Sequence, residues 1–178
     1  MSLQTKLAAF DHVVFKLTEW YGERNGQWAQ NDLSKLKITK LLFFIAAITA
    51  TAEEEGLLET FDSFAALPYG HVESQIQDHM EDSENFVVGR NLVQLRVGRQ
   101  DYQPVELENE AIRDLIDQAV VNLKSKNIDL INYNQFSLVE LSHRWQSWKT
   151  VFALAKRNGK FSMAIPKEMI MQEPKIFK

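Results

Sequence analysis

The stretch Leu41 to Ala52, LLFFIAAITATA, constrains the chain more than any other feature. It is 12 residues long, bracketed by Lys40 on one side and by Glu53, Glu54 and Glu55 on the other. A membrane-spanning helix needs about 20 apolar residues, so this run reads as a helix buried inside a protein. Its apolar positions leave no polar face, and a helix that is hydrophobic on every side is surrounded by other elements. The predicted helix starts near Asp32 or Ser34, runs to about Glu55 and stops at Gly56. It is the expected centre of the fold.

The rest of the chain supplies elements to surround it. Leu3, Leu7, Phe10, Val14, Leu17 and Tyr21 recur at alternating steps of four and three, with Ser2 as N-cap and Gly22 after the last turn, which predicts an amphipathic helix. GERNGQWAQND follows as a polar loop whose Trp28 folds back on the domain. Val72 to Met80 is a candidate short helix. Val93, Leu95 and Val97 alternate with Gln94 and Arg96, and Tyr102 to Val105 follows a turn-like GRQD, so a small hairpin is expected there. Glu108 to Lys124, Phe136 to Arg144 and Ser147 to Arg157 read as helices. Phe161 to Ile165 alternates strictly, and Pro166 suits the start of a last short helix with Met169 and Ile170. The expected fold is mainly α, a multi-helix single domain spanning residues 1–178 with a small hairpin or short strands.

At 178 residues the chain has the size of one domain of roughly 100–200 residues. It contains no cysteine, which removes thiol nucleophiles, thiolate metal sites and disulfides, and fits a reducing, cytoplasmic setting. The opening residues lack the apolar core and cleavage site of a secretion signal. The net charge of −4 is unevenly spread: Thr51 to Glu84 holds ten Asp or Glu and no Lys or Arg, whereas Leu141 to Lys178 holds eight Lys or Arg and two Glu. Such faces steer charged partners. Overall acidity argues against nucleic acid as a partner, with the basic C-terminal third as the counter-argument.

Chemistry-bearing patterns are sparse. His12, His71, His79 and His143 show no zinc-ligand spacing, although His71 and His79 lie near Glu73 and Asp78. There is no phosphate-binding glycine-rich loop and no GxSxG elbow. No catalytic, cofactor-binding or metal residues are expected, and binding is a better reading than catalysis. Trp145, Trp148 and Phe152 would share a stripe on one helix, either as core or as interface anchors, flanked by Arg144, Lys149 and Arg157.

Three separated segments resemble the Panacea antitoxin family, the SocA-like and phage-associated proteins. Ile38-Thr39-Lys40-Leu41-Leu42-Phe43-Phe44 is similar to that family's early helix. Phe64 to Val72, FAALPYGHV, is similar to its Tyr-Gly turn, and Leu138 to His143, LVELSH, with Trp145 and Trp148, is similar to its later helix motif. The order and spacing agree over about Leu33 to Ile170. Leu67, His71 and Ser142 stand where the family usually has Trp, Pro and Thr, and Asn85 to Pro104 has no counterpart. The resemblance implies a non-enzymatic protein that neutralises an adjacently encoded toxin by direct binding, with delivery to a protease in one well-known type. It marks Lys40, Tyr69, Gly70, His71, Val72, His143, Trp145 and Trp148 as the motif positions or candidate partner contacts. The rival readings are a prophage-associated nucleic-acid module exposing Lys149, Lys156, Arg157 and Lys160, and an enzyme with a site where His71 or His143 meets carboxylates.

Overall fold

The computed structural model describes residues 1–96, 102, 107 and 109–178. Helix α1 (Leu3–Asn25) begins where the Ser2 hydroxyl accepts the Thr5 N–H, as the sequence predicts. It passes through Gly22 and ends one turn later, where the Gly26 N–H bonds the Gly22 carbonyl. Trp28 folds back beside Gly22, its Cβ and backbone nitrogen about 4.0 Å from where a Cβ would stand, an ordinary packing distance.

Helix α2 (Lys35–Thr49) is the centre of the molecule. Its N-cap is Ser34, and every residue from Lys37 to Ala47 is buried. It packs against α4 (Glu110–Lys126), α5 (Gln135–His143), strand β2 (Gly70–Glu73) and a 3₁₀ turn at Gly56–Leu58. The predicted extension to Glu55 does not form. Thr49 ends the helix by accepting the Leu57 N–H on its hydroxyl while donating to the Ala46 carbonyl. Thr51 then accepts from the amides of Glu53 and Glu54. Continuing the helix would set three carboxylates at its negative end, an unfavourable arrangement of charge and dipole.

Strands β1 (Phe64–Leu67) and β2 form an antiparallel hairpin turning at Pro68 and Tyr69, and β5 (Met163–Ala164) pairs on the other side of β1. No pattern in the sequence announces this hairpin. Phe64, Ala65 and Ala66 are all buried, so the strand shows no alternation of apolar and polar residues. The short helix expected from Val72 is α3 (Ser74–His79), because Val72 and Glu73 belong to β2. The predicted strand around Val93 is β4 (Val93–Leu95), but its partner is β3 (Phe86–Val88). The expected second strand at Tyr102 to Val105 falls largely outside the described residues. The chain closes with α6 (Gln146–Arg157), β5 and α7 (Lys167–Gln172).

Seven α-helices and two small antiparallel sheets make this a mainly α domain among the described residues. No helix there is long and apolar enough to cross a membrane. A buried ammonium ties α1 to the β1–β2 side: Lys6 donates to Asp62, Glu73 and Gln75 at 2.6, 2.7 and 2.6 Å. Three acceptors match its three N–H bonds, which is what makes burying the charge tolerable.

Candidate functional site

The motif residues converge on the outer edge of β2. The Ile165 N–H donates to the Phe64 carbonyl, which sets the antiparallel alternation along β1. With Phe64 and Ala66 turned to β5, Ala65 and Leu67 bond β2, and the main-chain groups of His71 point away from the sheet. Left alone they would be a buried, unpaired edge. Side chains from two helices close it. Lys40 of α2 donates to the His71 carbonyl at 2.5 Å, and Ser142 of α5 accepts the His71 N–H at 3.1 Å.

The His71 ring is held just as closely. Its Nδ1 lies 2.8 Å from the Ser142 hydroxyl and its Nε2 2.9 Å from the Ser147 hydroxyl. The ring stacks on Phe43 with centroids 3.6 Å apart, and Trp145 meets its edge. Ser142 Oγ accepts the His71 N–H and meets no other acceptor among the described residues, so its own proton goes to Nδ1. That leaves the Nε2–H tautomer, which donates to Ser147. Gly70 makes this approach possible: its φ is 94°, and a Cβ there would stand 2.4 Å from Ser142 Oγ and 3.4 Å from Lys40 Nζ.

Burial governs the protonation of the cluster. It pushes Lys40 down to about 7, since the ammonium faces a carbonyl rather than a carboxylate. Burial likewise holds His71 well below the ordinary imidazole value, and the charges of Lys40 and His143 act in the same direction. The Ser142–His71 distance would suit a nucleophile and its base. However, His71, Ser142 and Ser147 are fully enclosed, and neither nitrogen of His71 bonds a carboxylate among the described residues. In this geometry the cluster stabilises a sheet edge.

The second motif group sits beside the hairpin turn. His143 Nε2 bonds the Pro68 carbonyl at 3.1 Å, and its ring stacks on Trp148 at 3.8 Å. The Trp148 indole N–H donates to the Leu67 carbonyl at 2.8 Å. Burial lowers the His143 pKa, partly offset by the Pro68 hydrogen bond. The expected stripe of Trp145, Trp148 and Phe152 is divided. Trp145 precedes α6 in extended conformation, fully buried against Phe43, Phe44 and Phe177, with its indole N–H on the Ile176 carbonyl. Only Trp148 and Phe152 stack along the helix.

The remaining candidates separate. His79 pairs with Asp82 on the surface, His12 bonds Asp117, and Glu73 is held by Lys6, so His71 and His79 share no site. Among the described residues no group of three or more His, Asp or Glu is arranged to hold a metal. The acidic segment is also partly used within the fold: Asp62 and Glu73 bind Lys6, and Glu55 pairs with Lys167. Glu53 and Glu54 stay exposed.

Of the eight motif residues, Lys40, Gly70, His71, Val72 and Trp145 are buried, His143 and Trp148 are half-buried, and Tyr69 projects from the turn, 60% exposed. Beside Tyr69 runs a groove of about 680 Å³ with Leu36, Leu67, Val72, Val88 and Phe161 among its walls. Phe161 is 72% exposed. Sequence reasoning missed Ser147 and Phe161 as site residues: Ser147 is an ordinary helix residue in sequence, and Phe161 read as part of an alternating strand. No family model, curated protein or solved structure matches the chain.

Proposed function

We propose that this chain is a protein-binding domain that neutralises a cognate toxin by direct contact, as the Panacea antitoxins that its motifs resemble do. The observation that carries the reading is the presentation of Tyr69. The hairpin below it is tied down by Lys40, Ser142, His143 and Trp148, yet the tyrosine itself is exposed beside an apolar groove rimmed by Phe161. Tyrosine is enriched among binding hot spots, and a rigid support lowers the entropy lost on docking. The buried motif residues then act as scaffold, with Tyr69 as contact.

The test is co-expression in bacteria with the product of the neighbouring gene. Rescue of growth and co-purification are expected for the native chain, and both are expected to fail for Tyr69→Ala combined with Phe161→Ala. A neighbour that is harmless alone, or the absence of any complex, removes the antitoxin role. Delivery to a protease is the further step the resemblance implies, and a shortened toxin half-life in co-expressing cells is its signature.

One observation favours a second reading. Lys149, Lys156, Arg157 and Lys160 are all exposed along α6 and the turn after it, the arrangement expected of a nucleic-acid module. Binding of that kind weakens steeply with salt, so an oligonucleotide titration at two ionic strengths separates it from protein binding.

A further inference from the structure

The three-stranded sheet has two edges that are treated differently. The β2 edge is closed by Lys40 and Ser142. The β5 edge is bare. Since Ile165 bonds Phe64 and Met163 sits opposite Ala66, the main-chain groups of Ser162 and Ala164 face away from β1. Both residues are exposed, and among the described residues no hydrogen bond takes up those outward groups. An exposed edge is a template for another strand, and proteins usually cover or charge it.

The geometry points to the β5 edge as a docking strand for an extended, acidic segment of a partner protein. This deepens the protein-binding reading above by saying how a partner chain is held. The charge argument is local. Lys156, Arg157 and Lys160 lie immediately before the edge and are exposed. The region from Leu141 to Lys178 carries eight Lys or Arg against two Glu. Phe161, next to the edge and 72% exposed, offers an apolar anchor for an alternate side chain of the incoming strand. Strand addition of this kind draws affinity from main-chain hydrogen bonds and specificity from the flanking side chains. Pro166 after the strand and the Asn158-Gly159 turn before it limit the docked stretch to a few residues. A nucleic acid would use the basic side chains but has no use for an open row of amide and carbonyl groups.

The experiment titrates the ¹⁵N-labelled chain with an end-blocked peptide of alternating Glu and Val, and in parallel with oligothymidine. The expected result is saturable movement of the Ser162 and Ala164 amide signals with the peptide. Ala164→Pro deletes only an outward N–H, a position where proline is tolerated on an edge strand, and is expected to weaken binding at least tenfold. Lys156→Glu, Arg157→Glu and Lys160→Glu together are expected to do the same at low salt, with the fold retained and only a modest drop in thermal stability, since the first two reverse favourable charges in the last turn of α6. If Ala164→Pro disturbs folding, the charge-reversed chain and the amide movements carry the test. Unmoved amides, peptide binding that the charge-reversed chain or a folded Ala164→Pro chain retains, or binding of oligothymidine alone overturns the inference. A harmless neighbouring gene product with a peptide that still docks removes the antitoxin role and keeps the edge site. Growth rescue with a peptide that fails to dock does the opposite.

Discussion

Replacing Gly70 with alanine tests the geometry of the His71 cluster at its tightest point. Two effects add. A Cβ at φ 94° carries left-handed strain of about 1–2 kcal/mol. The new atom would also stand 2.4 Å from Ser142 Oγ, so Ser142 must withdraw from both the His71 N–H and Nδ1. Leaving such buried groups unsatisfied costs about 1–3 kcal/mol each. The combined loss is about 3–8 kcal/mol, a large share of the roughly 5–15 kcal/mol that holds a domain together. Gly159 supplies the control: its φ is 65°, and nothing lies within 4 Å of its missing Cβ, so Gly159→Ala bears strain alone, about 1–2 kcal/mol. Urea unfolding followed by circular dichroism measures both variants against the native chain. In the Gly70→Ala background, Ser142→Ala is expected to add little, because its bonds are already broken. Equal losses at Gly70 and Gly159 would refute the packing argument.

Further outcomes follow from the same cluster and its surroundings. Lys40 titrates near 7 in the folded chain and near about 10.4 when unfolded. The unfolded state therefore holds the extra proton between those values, and this group's contribution to stability rises by about 2–3 kcal/mol from pH 7 to pH 9. Stability curves of the native chain and Lys40→Met should differ by that slope, and parallel curves would count against a desolvated ammonium. His71 has a depressed folded pKa, so its contribution is lost as pH falls below about 6.5. Its ¹⁵N ring shifts should report a neutral Nε2–H tautomer across the range where free imidazole titrates; the Nδ1–H form would reverse the assigned bonds to Ser142 and Ser147. Phe44 is fully buried against Phe43, Trp145 and Phe177, and Phe44→Ala should cost about 3–5 kcal/mol in denaturant titration. A loss below about 1 kcal/mol would take it out of the core.

The amino-acid sequence by itself determined the central helix, a start near Asp32 or Ser34, and the run of helices around it. Each of these rests on contacts within a few residues: an apolar run with no polar face, a 3.6-residue repeat, a hydroxyl three residues before the amide it caps. It also marked Lys40, Tyr69, Gly70, His71 and His143 as a set through the motif resemblance, without saying what they do. Tertiary structure decided the rest. Where α2 ends depends on Thr49 receiving an amide eight residues ahead, and the β1–β2 hairpin is buried on both faces, which erases the alternation that reveals a strand. The pairing of His71 with Ser142 spans 71 residues, and that with Ser147 spans 76. No local pattern encodes those contacts, because they arise only when the unsatisfied edge of one element meets the side chains of two others. The same holds for Tyr69: its place in a turn is legible from Pro68 and Gly70, whereas its exposure on a braced hairpin exists only once α2, α5 and α6 have closed beneath it.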